Sequence, residues 1–104
     1  MTTCNCIVQA KQISPDTQAA LRANLDKFTR AKFGSPAEIS WVEIEPGSGY
    51  TANELSTSSI VSVSSGEPVE QSARIDMLQE LCDLWSGTTG CTLDEIVGVI
   101  NDPA

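Results

Sequence analysis

The sequence of 104 residues contains no histidine and little positive charge. Its six Lys and Arg residues are outnumbered by fourteen Asp and Glu residues, so the formal net charge is -8. Without histidine, a Ser-His-Asp triad, a Cys-His pair and a histidine metal site are all excluded. Acid–base chemistry near neutral pH would need a shifted carboxylate, a thiol or the α-amino group. The negative charge repels phosphate backbones and anionic lipids, so we expect neither nucleic acid nor membrane as a partner.

Long apolar runs are absent as well. No stretch approaches the roughly 20 apolar residues that cross a bilayer. The chain does not start with a basic segment followed by an apolar one, as a signal peptide would. We therefore expect a cytoplasmic location and reduced cysteines. Cys4 and Cys6 lack a second pair with metal-ligand spacing, which favours buried thiols over a zinc site, and we expect no metal and no organic cofactor.

The hydrophobic pattern predicts the element order β-α-β-β-α-β. Strands are predicted over residues 4–11, 39–45, 60–63 and 96–101. The first helix should begin after Ser14, whose side chain can cap it, and end at Gly34. The second should open at Gly66-Glu67-Pro68 and carry an i,i+4 ion pair between Glu70 and Arg74.

The two halves of the sequence also match each other. Ile7-Val8 recurs as Ile60-Val61, and Pro15 recurs as Pro68 at the same offset. Each half therefore predicts one β-α-β unit, and a polar loop joins the two. The predicted units are repeat one, about 2–46, and repeat two, about 58–103, within one domain, 1–104. A single unit cannot bury its sheet, so we predict an α/β fold with a four-stranded sheet and both helices on one face.

Three segments carry a resemblance to a known family. They are residues 13–16 at the first helix, residues 41–47 at the second strand and residues 90–97 before the last strand. Together with the length of the β-α-β pair, they resemble the tautomerase superfamily, the fold of 4-oxalocrotonate tautomerase, cis-3-chloroacrylic acid dehalogenase and macrophage migration inhibitory factor. The likeness is greatest to the longer, fused two-repeat members. It implies the tautomerase/MIF-like fold and a homo-oligomer, a trimer in which two further subunits cover the open sheet face.

The family is known for an amino-terminal proline that acts as a general base or nucleophile and is exposed when the initiator Met is removed. The resemblance places Thr2 at that position, so this chain lacks the catalytic proline. It also places Ser64 and Glu67 where dehalogenase-like members bind the substrate carboxylate with two arginines. A carboxylate near the end of the last strand is kept as Asp102.

Two functions of different classes follow. In the first, Thr2 supplies an α-amine beside its hydroxyl, and with Asp102 it acts as an isomerase or lyase on a small keto, enol or unsaturated acid. In the second, the chain is a non-catalytic oligomeric homologue that serves as a binding or scaffold module. The two are distinguished by whether the Thr2 amine takes part in a reaction.

Two more residues are candidates for contact with a small-molecule ligand. Glu43 could join Asp102 as an acid–base pair around a pocket, lie on a solvated strand face, or form a salt bridge at a subunit interface. Tyr50 lies in a Gly-flanked loop that could cover a pocket or anchor a neighbouring subunit. The expected substrate-binding residues are Ser64, Glu67, Tyr50 and Glu43, and the expected catalytic residues are Thr2 and Asp102.

Overall fold

The computed structural model of the protein describes residues 2–103. Its elements follow the predicted order, with a short extra hairpin in the loop between the two halves. The elements are β1 (Thr2–Gln9), α1 (Pro15–Phe33), β2 (Ala37–Ile44), β3 (Tyr50–Thr51), β4 (Glu54–Leu55), β5 (Ser59–Ser64), α2 (Gln71–Thr89), a 3-10 turn (Leu93–Glu95) and β6 (Ile96–Asn101). The predicted α/β fold with two helices and a four-stranded sheet is confirmed.

The four-stranded sheet has the order β2-β1-β5-β6. β1 is parallel to β2 and β5 is parallel to β6, while the central pair, β1 and β5, is antiparallel. Parallel neighbours need a crossover connection, and α1 and α2 provide one in each half of the chain. Within residues 2–103, no helix combines the length and the apolar character needed to cross a membrane.

Alternate strand residues face the two helices and form the core. Cys4, Cys6 and Val8 of β1 are at most 1% exposed, because successive strand residues point to opposite faces of the sheet. The helices contribute Leu25 and Trp85, which are fully buried. Burial of a large apolar side chain contributes about 1.5–3 kcal/mol to the free energy of unfolding. Because the core contains residues from both halves of the chain, its burial holds the two halves together.

The two helices begin differently. At α1, the Thr17 N–H donates to Ser14 Oγ at 3.2 Å, which satisfies one free donor of the first turn. α2 begins at Gln71, later than predicted, because Gly66 at a φ of 83° turns the chain before the helix can start. Its cap residue, Glu70, makes no side-chain hydrogen bond to the helix. Of the two α-helices within residues 2–103, α1 is capped by a side chain at its start and α2 is not.

The predicted ion pair between Glu70 and Arg74 is wrong. Arg74 Nη2 lies 2.8 Å from the Asp102 carboxylate and donates to the Val69 carbonyl oxygen at 2.7 Å, while Nη1 donates to the Ile100 carbonyl oxygen at 3.2 Å. The guanidinium binds Asp102 because the end of β6 lies beside the start of α2. The pair therefore fastens the connection before α2 to the last strand.

The sheet face away from the helices, called here the outer face, is apolar at one end of the strands and polar at the other. The pairing register aligns four side chains, each 37–48% exposed, across all four strands. This apolar row consists of Val42, Ile7, Ile60 and Val97. At the other end of the strands, the register aligns a polar row that consists of Glu38, Thr3, Ser64 and Asn101. The two ends of the outer face therefore differ in polarity.

Candidate functional site

A cavity of about 380 Å³ opens where β1 begins and β5 ends, called here the cavity end of the sheet. This volume is in the range of pockets that hold small molecules. Its walls come from the last turn of α1, the connection between β5 and α2, and the first turns of α2. The lining residues are Lys32, Phe33, Ser65, Glu67, Pro68, Val69, Glu70, Ala73 and Met77.

The crossover geometry brings these segments together. α1 starts after the far end of β1 and returns to the beginning of the sheet, so Phe33 arrives close to the first residues of β1. α2 starts where β5 stops, at the same end. The Arg74–Asp102 ion pair, with the Val69 N–H donating to Asp102 at 3.0 Å, holds the connection that forms the second wall.

The charged groups give the cavity a net negative charge. Glu67 and Glu70 are exposed, and among the described residues neither has a cationic side chain within 4 Å. Of the lining residues in that part of the chain, Lys32 alone is a cation, and its Nζ lies 2.8 Å from the Glu80 carboxylate. The charge of Lys32 is thus matched, whereas those of the two lining carboxylates are not.

Thr2 lies at the cavity end without lining the cavity. The residue is fully buried on the helix-facing side of β1, and its hydroxyl shares a hydrogen bond of 2.5 Å with the Ser35 hydroxyl. Its backbone nitrogen donates to the Pro36 carbonyl oxygen at 3.3 Å. Both polar groups are thus engaged by the segment between α1 and β2. A free α-amine on Thr2 requires the removal of Met1, which lies outside the described part of the chain.

Of the other residues predicted at this end, Glu67 lines the cavity and two do not. Ser64 ends β5 and lies on the outer face. Asp102 accepts hydrogen bonds from Arg74 and a backbone N–H, which lower the pKa of its carboxyl below the ordinary value of 3.8. A carboxylate with a lowered pKa is a weaker base, so Asp102 is poorly suited to activate water.

Glu43 and Tyr50 lie at the opposite end of the sheet, called here the apolar end. The register pairs Thr2 with Ala37 and Val8 with Glu43, so Glu43 lies roughly 20 Å along the strand from the cavity end. Tyr50 is 68% exposed on the β3–β4 hairpin. Within one chain, the structure does not bring these two residues to those predicted at the cavity end.

The lining residues that the sequence pattern does not reveal are mainly apolar. Phe33 and Met77 belong to different helices in different halves of the chain. Both fit an ordinary amphipathic pattern, which predicts burial and not a cavity. Glu67 and Glu70, two carboxylates just before a helix, are the one feature of the sequence that could have marked this wall.

A more open groove of about 470 Å³ lies toward the apolar end, and its residues are Leu78, Gln79, Cys82, Asp83 and Leu93. Burial raises the pKa of the Cys82 thiol. It also raises the pKa of Cys4 to about 11 and that of Cys6 to about 12. These thiols are therefore protonated at neutral pH and are weak nucleophiles. No group of three or more potential metal ligands occurs between Thr2 and Pro103.

Solved structures share this fold, whereas no family model and no curated protein matches the sequence. Native Ps01740 is similar at a TM-score of 0.88 and 21% identity, over 97% of this chain and 93% of its own. A fused 4-OT symmetric trimer is similar at 0.79 and 19% identity, over 97% and 85%. N1, a member of the cis-3-chloroacrylic acid dehalogenase family, is similar at 0.83 and 14% identity, over 97% and 74%.

These likenesses extend over nearly the whole chain, but the identities are at most 21%. At that level the backbone arrangement is shared, while the side chains of the site have to be judged in this chain itself. The chain has the tautomerase/MIF-like fold that the sequence resemblance implies, with two β-α-β units around one four-stranded sheet.

Proposed function

We propose that the chain is a non-catalytic protein of the tautomerase fold that self-associates and binds a small molecule in the cavity. The observation that carries the proposal concerns the two residues expected to be catalytic. The Thr2 backbone nitrogen donates to the Pro36 carbonyl oxygen and the Thr2 hydroxyl is bound to Ser35. The Asp102 carboxylate is bound to Arg74 with a lowered pKa. General base catalysis needs a group that accepts a proton near neutral pH within reach of the ligand.

The groups that would bind an acid substrate are also changed. Where the resemblance implies two arginines, the chain has Ser64 on the outer face and Glu67 in the cavity wall. The ammonium group of Lys32 is matched by Glu80 at 2.8 Å. A small unsaturated acid that enters the cavity would meet unmatched carboxylates, which supports a change of ligand together with the loss of catalysis.

The outer face supports a homo-oligomer, and we propose a trimer. The apolar row leaves four β-branched side chains partly exposed in a chain of net charge -8. An exposed apolar strip of this kind is typical of a surface that other subunits cover. The fused 4-OT structure of the same fold is a trimer. The expected mass is about 33 kDa, three times the chain mass of 11.1 kDa.

A cytoplasmic location is part of the proposal. Cys4, Cys6, Cys82 and Cys91 are all free cysteines, and Cys4 and Cys6 are buried. Free thiols persist in reducing compartments, whereas small secreted domains commonly depend on disulfides for their stability. Recovery of the chain in the cytosolic fraction of its source cells would agree with this part of the proposal, and recovery outside the cell would contradict it.

An ultraviolet assay for the ketonisation of phenylenolpyruvate and 2-hydroxymuconate tests the loss of catalysis. Intact-mass analysis first establishes whether Met1 is present. We expect the wild type to leave both rates at the buffer value. Activity that appears only in Thr2→Pro would indicate a site that kept its shape and lost its base, with Thr2→Val as the control for the lost hydroxyl. Acceleration by the wild type that acetylation of the α-amine abolishes would overturn the proposal.

A Thr2-dependent isomerase or lyase is the second candidate function. One observation favours it: Thr2 contacts Ser35, which follows closely after Phe33 in the cavity wall, so the start of β1 is near the cavity. This candidate predicts wild-type ketonisation that depends on the α-amine. Retention of Met1 in the purified chain would exclude it, because Thr2 would then have no free amine.

A further inference from the structure

We propose that the cavity binds a small organic cation, a primary alkylammonium with a short aliphatic chain. The inference rests on the proposed function, because it names the ligand class of the binding module. Such a ligand has the opposite charge to the acids that the family resemblance implies. Three features of the cavity support it: an apolar wall, two unmatched carboxylates and a helix start without a side-chain cap.

The apolar wall fits an aliphatic chain. Phe33, Val69, Ala73 and Met77 line the cavity and are only partly buried, so a ligand can remove more of their surface from water. The Phe33 ring can add a second attraction, because the face of an aromatic ring is negative and binds ammonium groups at short range. The wall therefore suits a ligand that is apolar at one end and cationic at the other.

The charges of the cavity fit the ammonium group. Glu67 and Glu70 both line the cavity, and in residues 2–103 no Lys or Arg nitrogen lies within 4 Å of either carboxylate. The N-terminus of α2 contributes about half a positive charge at the same place. The lining Lys32 is matched by Glu80 at 2.8 Å, so the two negative charges of Glu67 and Glu70 outweigh the helix contribution, and the local field attracts cations and repels carboxylates. The chain's net charge of -8 adds to this attraction at long range.

At the start of α2, the Glu70 carboxylate forms no hydrogen bond with the helix. Ser14 caps α1 through its side chain, whereas Glu70 occupies the cap position of α2 without a side-chain hydrogen bond. A residue such as Ser or Asp at that position would stabilise the helix. Positions at which the residue present is unfavourable for stability are commonly functional. Here the Glu70 side chain lines the cavity instead of capping the helix.

The Met77 methyl group is a reporter in the cavity wall. The sequence has two methionines, Met1 and Met77, so the methyl spectrum of the full chain labelled with methyl-13C-methionine contains at most two signals to assign. We expect n-butylammonium to shift the Met77 signal in a saturable way, with a Kd of about 1 mM for a ligand of this size. Pentanoate, which carries the opposite charge, and 1-butanol, which carries none, should not produce a saturable shift in that range.

The combined variant Glu67→Gln/Glu70→Gln tests the carboxylates. Both side chains are exposed, so the variant should fold, and its circular dichroism spectrum should match that of the wild type. We expect n-butylammonium to bind about tenfold more weakly to the double variant. Glu54→Gln is the matched control, because this carboxylate lies on the β3–β4 hairpin at the apolar end and its loss should leave the affinity unchanged.

Four results would overturn the inference. They are the absence of a saturable shift with n-butylammonium, an equal shift with pentanoate, wild-type affinity in the double variant, and displacement of n-butylammonium by equimolar MgCl2, which would indicate a metal site. None of them depends on the ketonisation assay. A chain that binds no alkylammonium but is inactive and trimeric would refute the inference and leave the proposed function in place.

Discussion

The cavity end and the apolar end of the sheet expose different side chains. At the cavity end, the outer face carries the polar row, and the cavity behind it has the unmatched carboxylates of Glu67 and Glu70. At the apolar end, the outer face carries the apolar row, and the hairpin adds Tyr50 and Leu55, which are 68% and 66% exposed. This difference is the basis of our proposals that one end binds a charged ligand and that the other contacts further copies of the chain.

The two ends also differ in the contacts that fix the start of the helix at each end. At the apolar end, α1 begins with Ser14 as a side-chain cap, a device that lies within a few residues of the helix. At the cavity end, α2 begins without such a cap, and the connection before it is fastened by Arg74 and Asp102, which are far apart in the sequence. The geometry of the cavity therefore depends on tertiary contacts more than on local sequence.

The largest expected effect is on assembly through the apolar row. Ile60 lies between Ile7 and Val97 in that row, so Ile60→Glu places an unpaired charge in the proposed subunit contact. We expect the trimer of about 33 kDa to dissociate to the 11.1 kDa chain, as measured by light scattering. Ile75→Lys is the control, because Ile75 is 47% exposed on α2, away from the outer face. Dissociation of both variants would contradict the assignment of the interface to the apolar row.

Two glycines test how closely α2 packs on β6. A Cβ at Gly98 would lie 3.2 Å from Cys82 Sγ and 3.6 Å from Leu78 and Leu81, so we expect Gly98→Ala to lower the free energy of unfolding by about 1–2 kcal/mol. A Cβ at Gly87 has no neighbour within 4 Å. Gly87→Ala should therefore raise the free energy of unfolding by about 0.5–1 kcal/mol, because alanine loses less conformational freedom in a helix than glycine does. Urea unfolding measures both variants. A stabilising Gly98→Ala would show that the packing is looser than described.

The two helix starts give a smaller effect of opposite sign. Ser14→Ala should lower the free energy of unfolding by about 1 kcal/mol, because it removes the acceptor for the Thr17 N–H. Glu70→Ser should raise it by about 1 kcal/mol, because it supplies the cap that α2 lacks. The same urea series measures both, and Glu70→Ser should also weaken the binding of n-butylammonium. A loss of stability in Glu70→Ser would indicate that Glu70 already supports the helix.

The smallest effect concerns acid stability. Hydrogen bonds from Arg74 to Asp102 at the cavity end, and from the Thr92 N–H to Glu95 near the apolar end, lower the pKa of both carboxyls. Such carboxylates stabilise the fold above their unfolded pKa, and this contribution is lost as the pH falls through the folded pKa. The thermal midpoint should therefore decrease below about pH 4.

Asp102→Asn and Glu95→Gln should each flatten part of that decrease, because neither replacement can take up a proton in the acid range. Thermal unfolding of both variants across the acid range, compared with the wild type, provides the measurement. If the decrease keeps its full size in both variants, other carboxylates must be responsible for the acid sensitivity.

Local sequence signals predicted much of the fold. Residues 96–101 were expected as a strand and form β6, and α1 runs from the predicted cap at Ser14 to Gly34, whose φ is 71°. These elements depend on interactions within a few residues. The hairpin was missed because its turn uses Ala52 and Asn53 at φ values of 53° and 65°, without the glycine that marks such turns.

The candidate site was predicted less well, because it depends on contacts between distant segments. Glu67 was identified through the family resemblance and does line the cavity. Phe33 and Met77 meet only after both crossovers have formed, and nothing in their local pattern distinguishes a cavity wall from an ordinary core. The partner of Arg74 was misjudged for the same reason, since Asp102 reaches it only once β6 lies beside α2.

The central claim, made as a proposal, is that this chain has the tautomerase/MIF-like fold without amine catalysis, and the rate of phenylenolpyruvate ketonisation tests it most directly. The measurement uses the wild-type chain at a concentration equal to that of the substrate, so that even a slow reaction is visible. The account predicts the same progress curve with and without protein. An acceleration that increases with protein concentration and disappears after acetylation of the α-amine would contradict it.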